Sequence, residues 1–257
     1  MKKMSLQTRI ETANKEGRMA RIPFITANFP TPEIFLRSLR ELDDTGADII
    51  EIGVPFSDPV ADGPVVEAAS MRALEAGVTL PGILAALKER KGRYKAAVVL
   101  MGYYNPILQY GLDRFAGDAV DAGVSGCIVP DLPLEESGPL RAAFKQKQGG
   151  IALIPLVGLN TDEERMAAYA KQAEGFVYLV SVLGTTGVRD GLGKGLGEAL
   201  GRARAVFPVP LALGFGLSHP DQVAALPVRP EAVVFGSALL RHIDAGGSPA
   251  EFLARWR

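Results

Sequence analysis

The chain has 257 residues, 47% of them hydrophobic, and a formal net charge of −1. This length and apolar content fit one α/β domain with a sizeable core, and the balanced charge argues against a nucleic-acid or membrane surface, which usually needs a basic excess. Two histidines and the single Cys127 are too few for a typical zinc site, and the polar segment Met1–Arg21 lacks the apolar core of a signal peptide, so we expect residues 1–257 to form one cytoplasmic domain.

Short apolar runs alternate with longer amphipathic stretches along the whole chain. Each run is four to seven residues long and mostly apolar, which is typical of strands that are buried on both faces of a parallel sheet. The pattern predicts eight strands, over Ile22–Ala27, Asp48–Val54, Ala96–Met101, Gly126–Pro130, Ile151–Val157, Phe176–Ser181, Val209–Leu213 and Ala232–Phe235.

The stretches between these runs have the spacing of helices with one apolar face. Glu33–Asp44, Leu112–Ala122 and Asp162–Lys171 show it most clearly. A further helix over Ser5–Glu16 would cover the floor of a barrel. Eight strands that are each followed by a helix predict a single (β/α)8 (TIM) barrel, and a doubly wound open sheet is the alternative.

Carboxylates lie in and after the second predicted strand, where this architecture places its chemistry. Glu51 interrupts an apolar run, and burial raises the pKa of an unpaired carboxyl, which suits a general acid. A structural glutamate paired with an arginine or lysine is the alternative reading. Asp58 or Asp62, in the proline-rich loop 55–64, is a candidate for a second carboxylate, although aspartates beside proline or glycine often only form local turns.

Glycine-rich loops follow the last three predicted strands. Gly214-Phe-Gly216 comes after the seventh strand, and Gly236-Ser237 comes after the eighth and directly precedes a helix. Loops at these two positions commonly bind phosphate through backbone N–H groups and a helix N-terminus, so we predict a phosphate site, with simple tight turns as the alternative. The long polar loop 182–195 after the sixth strand favours a mobile lid over an ordinary surface loop.

No lysine lies at the carboxyl end of a predicted strand, and Lys194 in the sixth loop is the nearest candidate. Schiff-base catalysis needs a lysine that is held rigidly in a dry pocket. Acid–base catalysis on a phosphorylated substrate is therefore the favoured chemistry.

The run Glu51-Ile-Gly-Val-Pro-Phe-Ser-Asp-Pro-Val-Ala-Asp-Gly-Pro64 resembles, almost letter for letter, the signature of tryptophan synthase alpha subunits. The resemblance spans nearly the whole chain and implies a TIM-barrel lyase that cleaves indole-3-glycerol phosphate to indole and glyceraldehyde 3-phosphate in tryptophan biosynthesis. Further motifs follow in the family's order, at Gly102–Pro106, Ile128–Pro133, Phe176–Tyr178, Gly184–Gly187, Gly214–Gly216 and Gly236–Ala238.

The resemblance also implies roles for individual residues. Glu51 matches the acid that protonates indole C3, Asp62 the carboxylate beside the indole N–H, and Tyr178 an active-site tyrosine. The remaining matches are the phosphate-binding positions Gly187, Gly216, Gly236 and Ser237, the apolar positions around indole Phe24, Met101 and Ile128, and the lid threonine Thr186.

The alpha chain of this family needs no cofactor and delivers indole to a pyridoxal-phosphate beta subunit in an αββα heterotetramer. Segments 55–59 and 103–106 match partner-facing regions, whereas segments 26–30 and 155–159 depart from the family pattern. Two other hypotheses stay open, a freestanding indole-releasing lyase and a non-catalytic subunit that binds the ligand and activates a beta partner. The motif in the second strand makes another phosphosugar barrel enzyme a weaker hypothesis.

Overall fold

A computed structural model describes residues 4–147, 150–180, 195–214, 216–224, 226 and 228–256. In these residues, the strands form one parallel sheet with the order β5-β4-β3-β2-β1-β9-β8-β7-β6. The strands are β1 Ala20–Thr26, β2 Ile49–Gly53, β3 Ala97–Met101, β4 Val124–Ile128, β5 Ala152–Leu153, β6 Leu156–Gly158, β7 Val177–Val180, β8 Leu211–Gly214 and β9 Ala232–Phe235.

Helices precede the first strand, join most of the others and end the chain. None of the helices in the described ranges is long and apolar enough to cross a membrane. They are α1 Leu6–Lys15, α2 Pro32–Asp44, α3 Pro64–Glu75, α4 Leu80–Lys88, α5 Tyr104–Tyr110, α6 Leu112–Asp121, α7 Gly138–Lys145, α8 Glu163–Ala170, α9 Leu196–Val206, α10 Asp221–Ala224, α11 Ser237–Asp244 and α12 Pro249–Ala254, with a 3-10 turn at Leu134–Glu136 before α7.

The predicted fifth strand, Ile151–Val157, is wrong as one continuous strand, because the structure divides it into β5 and β6. Pro155 has no N–H group to donate to a ladder, so regular pairing is interrupted there. The backbone N–H of Ile154 donates to Cys127 at 2.9 Å, and Tyr178 donates to the carbonyl of Pro155 at 3.0 Å. The broken strand thereby joins both ends of the sheet, and the predicted (β/α)8 barrel is confirmed.

Alternating side chains of the strands pack on opposite sides of the sheet. On β1, Ile22 and Phe24 lie in the cluster that fills the barrel interior, and Ile25 lies in the larger cluster beneath the outer helices. This two-sided burial is why the strands are almost continuously apolar in sequence.

Helix α1 closes the floor of the barrel, as the sequence predicts for Ser5–Glu16. The hydroxyl of Ser5 caps the helix by accepting from the backbone N–H of Thr8 at 3.1 Å. Leu6 and Ile10 are buried in the same cluster as the barrel interior. The catalytic face is consequently the opposite, carboxyl end of the strands.

Candidate active site

Glu51 lies in the middle of β2, between Phe24 of β1 and Val99 of β3. Its neighbours Ile50 and Ile52 belong to the outer cluster, so strand alternation directs Glu51 into the barrel. The residue is 0% exposed, and both carboxyl oxygens are buried without a hydrogen-bond partner in the described part of the chain. A structural pair with an arginine or lysine is therefore not present among these residues.

Burial raises the pKa of Glu51 to about 8, and the nearby charge of Asp62 raises it further. Transfer of a carboxylate out of water disfavours the charged form. The group is consequently protonated near neutral pH and can donate a proton.

Asp62 lies in the loop between β2 and α3 and is half-buried. Burial raises its pKa to about 6, a hydrogen bond from Tyr103 opposes the rise, and the charge of Glu67 adds to it. The candidate second carboxyl thus ionises below the pH at which Glu51 does, so the two groups are suited to different roles. Asp58, the other candidate, is exposed and hydrogen-bonded to Ser57.

Tyr103 holds the loop that carries Asp62, and the sequence analysis missed this role. Its hydroxyl accepts from the backbone N–H of Ala61 at 3.0 Å, and its ring stacks on Phe56 with the ring centroids 5.0 Å apart. Burial and the charge of Asp62 raise the pKa of the Tyr103 hydroxyl, so it stays protonated and donates to Asp62. The signal available in the sequence was a tyrosine two residues after the end of the third predicted strand, in the loop at its carboxyl end.

Tyr178 on β7 is buried in the barrel, facing the two carboxyls. Burial raises the pKa of its hydroxyl, and the charges of Glu51 and Asp62 raise it further. A Cβ atom on Gly214 would lie 2.3 Å from the Tyr178 hydroxyl oxygen. Only glycine at that position leaves room for the tyrosine.

Phe24, Met101 and Ile128 are buried in the same interior cluster as Tyr178. The ring of Phe24 fits against two glycines, since a Cβ atom would lie 2.5 Å from the ring on Gly53 and 3.0 Å from it on Gly236. The Glu51 carboxyl thus lies among apolar and aromatic side chains, an environment that suits a flat apolar ring.

The candidate phosphate residues lie at the ends of the paired strands β8 and β9. Gly216 has φ +78°, a conformation that favours glycine. Gly236 precedes α11 without a side-chain cap, and the first turn of α11, which begins at Ser237, contains no acidic residue. The backbone N–H groups there are suited to an anion. Gly187 and Thr186 lie outside the described residues.

Gln222 supports the loop after β8, a second role that sequence reasoning missed. Its Oε1 accepts from the backbone N–H groups of Ser218 at 2.8 Å and His219 at 2.9 Å. Its Nε2 donates to the carbonyl of Gly216 at 3.4 Å. This side chain fixes the turn that presents the Gly216 backbone.

The departure at segment 26–30 has a structural explanation. Asn28 adopts φ 57°, a left-handed conformation that asparagine tolerates better than most residues. Phe29 is buried in the interior cluster, and the guanidinium of Arg72 lies 4.7 Å from its ring centroid. Asn28 therefore permits the turn, and Phe29 contributes apolar packing beside the site.

A barrel with a protonated carboxyl buried at the catalytic end and a second, more acidic carboxyl beside it defines an acid–base enzyme of the (β/α)8 class. In the described ranges, no group of three or more His, Cys, Asp or Glu side chains is arranged to hold a metal ion.

Comparisons with known proteins identify the family. The family profile described as tryptophan synthase alpha chain matches residues 10–255. The chain is 60% identical over 251 residues to the tryptophan synthase alpha chain of Nitratidesulfovibrio vulgaris strain DP4, covering 98% of this chain and 97% of that one. The chain belongs to the tryptophan synthase alpha chain family, and it is a lyase that cleaves indole-3-glycerol phosphate in tryptophan biosynthesis.

Solved structures agree with this assignment. The Mycobacterium tuberculosis tryptophan synthase structure aligns with a TM-score of 0.89 at 33% identity, covering 99% of both chains. The tryptophan synthase alpha chain of Legionella pneumophila aligns with a TM-score of 0.83 at 32% identity, covering 98% of this chain and 94% of that one.

Proposed function

We propose that Glu51 is the acid, and Asp62 its electrostatic partner, in the cleavage of indole-3-glycerol phosphate to indole and glyceraldehyde 3-phosphate. The observation that carries this proposal is the Glu51 carboxyl, fully buried, without a hydrogen-bond partner among the described residues, and with a pKa of about 8. An acid with a pKa near the working pH combines a high protonated fraction with a strong tendency to donate.

The bond between indole C3 and the glycerol chain breaks only after the ring is protonated at C3. Glu51 gives that proton, and Asp62, ionised above about pH 6, stabilises the positive charge that develops at the ring nitrogen. The glycerol hydroxyl then loses its proton as the aldehyde forms, and the bonding electrons return to the ring. Glu51, now a carboxylate, takes up this proton and regains its starting state.

Binding of the substrate is divided between two regions of the catalytic face. We assign the indole ring to the apolar side chains of Phe24, Met101 and Ile128, with Tyr178 closing the pocket. We assign the phosphate to the N–H groups of Gly216 and the start of α11 at Gly236 and Ser237. A lid over 182–195, with Thr186 and Gly187, is part of the same proposal.

Substitution of Glu51 by glutamine tests the catalytic role, because glutamine keeps the shape but has no acidic proton. We expect indole release to fall by at least about a hundredfold, the lower end of the range for a lost general acid, while glycerol 3-phosphate still binds. The exposed Glu75→Gln, at the end of α3, is the matched control and should behave as wild type. A Glu51→Gln enzyme with normal turnover would show that the acid is another group.

We further propose that the chain delivers indole to a tryptophan synthase beta subunit in an αββα complex in the cytoplasm, because the reaction belongs to amino-acid biosynthesis and indole diffuses readily. Exposed apolar residues at the catalytic end support this, with Val60 75% and Leu108 46% exposed. Both lie in or beside the segments that match partner-facing regions.

Indole release measured with and without a beta subunit tests the partner. We expect weak activity alone and a sharp rise with beta, abolished by Val60→Asp. Strong activity that beta leaves unchanged would favour the freestanding lyase. No activity in either condition, with the chain folded, would favour the non-catalytic binding subunit.

A further inference from the structure

A cavity of about 260 Å³ lies at the floor of the barrel, at the opposite end from the candidate active site. Its wall includes Arg9 of α1, Arg90 and Lys91 after α4, and Gly123 before β4. We call it the floor pocket. The described residues that line it include three cationic side chains and no carboxylate.

The Arg9 side chain is incompletely satisfied. Its Nε is fully buried without a hydrogen-bond partner among the described residues, although leaving a charged donor unpaired is costly. The carboxylates whose charges act on it, Asp48 and Asp43, have other partners. Asp48 accepts from Arg18 at 2.7 and 2.9 Å, and Asp43 accepts from the N–H of Ala96 at 2.7 Å.

The other two cations also keep unused donors. Arg90 donates Nη1 to the carbonyl of Ala86 at 2.9 Å and to the carboxylate of Glu89 at 3.4 Å. Lys91 donates to the carbonyl of Val120 at 3.1 Å. A guanidinium has five N–H donors and an ammonium has three. Donors therefore remain on both side chains for a bound anion.

Further cationic side chains lie around Tyr94, next to the floor pocket. A neighbouring cavity of about 340 Å³ shares Arg90 and Tyr94 with the floor pocket and adds Arg40 and Arg93, together with Asp43 and the exposed Asp44. Burial raises the pKa of the Tyr94 hydroxyl. The charges of Arg90, Arg40 and Arg93 oppose that rise, and the charge of Asp43 adds to it. The two cavities have more cations than carboxylates.

The rest of the floor pocket is apolar. Leu87, Ala96 and Val98 contribute to its wall, and the half-buried ring of Tyr94 borders it. Binding pockets for small molecules combine an apolar wall with a few polar groups that fix orientation. A ligand that matches this wall has an anionic group and a small flat apolar body.

We propose that the floor pocket is a second ligand site, in which Arg9, Arg90 and Lys91 bind the phosphate or carboxylate group of a small organic anion. The apolar body of the ligand packs on Leu87 and Val98, beside Tyr94. None of these residues belongs to the proposed catalytic machinery, so substitutions in the floor pocket leave the catalytic side chains unchanged.

Titration of the isotope-labelled chain with phenyl phosphate tests this site, and a parallel titration with benzoate separates phosphate from carboxylate recognition. Backbone amides of Gly92 and Gly123 report the floor pocket, and those of Gly216 and Gly236 report the active site. We expect saturable shifts at Gly92 and Gly123 with a dissociation constant below about 1 mM, a modest affinity for so small an anion. Saturation by either probe supports the site and identifies the anionic group.

Arg90→Gln should weaken this binding about tenfold, the effect of losing one charge-assisted contact, and the exposed Lys91→Gln is the second test variant. Lys88→Gln removes one positive charge at the end of α4, two residues before Arg90, and lies outside the pocket, so it should change the affinity less than about twofold. Indole release should be unchanged in all three. Amides that stay unshifted to about 10 mM probe, or equal weakening by Arg90→Gln and Lys88→Gln, would overturn the proposal.

Discussion

The buried carboxyl of Glu51 should make the folded chain less stable as the pH rises. Its pKa is about 8 in the folded state and near the ordinary value of 4.5 when the chain unfolds. When the pKa of a group is higher in the folded than in the unfolded state, its contribution to the stability of the fold is complete at pH values below the unfolded-state pKa. That contribution is lost as the pH rises through the folded-state pKa. The loss therefore occurs between about pH 4.5 and 8.

Each pH unit in that window lowers the free energy of unfolding by about 1.4 kcal/mol, because Glu51 ionises in the unfolded chain but not in the folded chain. Between pH 5 and 8 the loss approaches about 4 kcal/mol, a large part of the stability of an ordinary domain. Glutamine at position 51 is neutral at every pH. Glu51→Gln should therefore gain stability relative to wild type by up to about 4 kcal/mol between pH 5 and 8.

Urea unfolding at pH 5 and pH 8 measures this difference. Trp256 is the only tryptophan, and it is 6% exposed and stacked on Phe235 with the ring centroids 4.9 Å apart, so its fluorescence and far-ultraviolet circular dichroism give two probes of unfolding. Glu75→Gln is the control. If the free-energy difference between Glu51→Gln and wild type is the same at both pH values, Glu51 ionises normally and the reasoning is refuted.

Two further substitutions test the surroundings of the carboxyls. Tyr103→Phe removes the hydrogen bond that lowers the pKa of Asp62. The acid limb of the pH profile of kcat/KM should therefore move to higher pH. If the limb does not move, the hydrogen bond from Tyr103 does not control the ionisation of Asp62. Gly214→Ala places a methyl group 2.3 Å from the Tyr178 hydroxyl, so indole release should fall at least about tenfold as the tyrosine is displaced. Gly201→Ala, in α9 with nothing within 4 Å, should keep wild-type activity, and equal activity of the two alanine variants would contradict the packing argument.

The strands were predictable because burial on both faces leaves nearly continuous apolar runs. The fifth strand was the exception, since its run Ile151–Val157 is apolar throughout but Pro155 interrupts the ladder. The hydrophobicity of a segment indicates that it is buried. It does not show which backbone N–H groups must donate hydrogen bonds to a neighbouring strand. The pattern therefore located the segment without showing the break.

Glu51 was visible in the sequence as a carboxyl inside an apolar run, whereas Tyr103 and Gln222 were not visible as supporting residues. Their roles depend on hydrogen bonds across loops, such as that from Ala61 to Tyr103, which no local pattern records. Glycines were similarly ambiguous. In the sequence, Gly214 is typical of a turn. In the structure, the position requires glycine because the ring of Tyr178 fills the space that a Cβ atom would occupy.

The pH dependence of kcat/KM for indole release from indole-3-glycerol phosphate tests the central claim most directly, because this parameter reports ionisations of the free enzyme. If protonated Glu51 is the acid, kcat/KM should fall above about pH 8, by about tenfold for each further pH unit. A profile that stays level to about pH 10 would show that no group with the ionisation of Glu51 supplies the proton, and would contradict the mechanism.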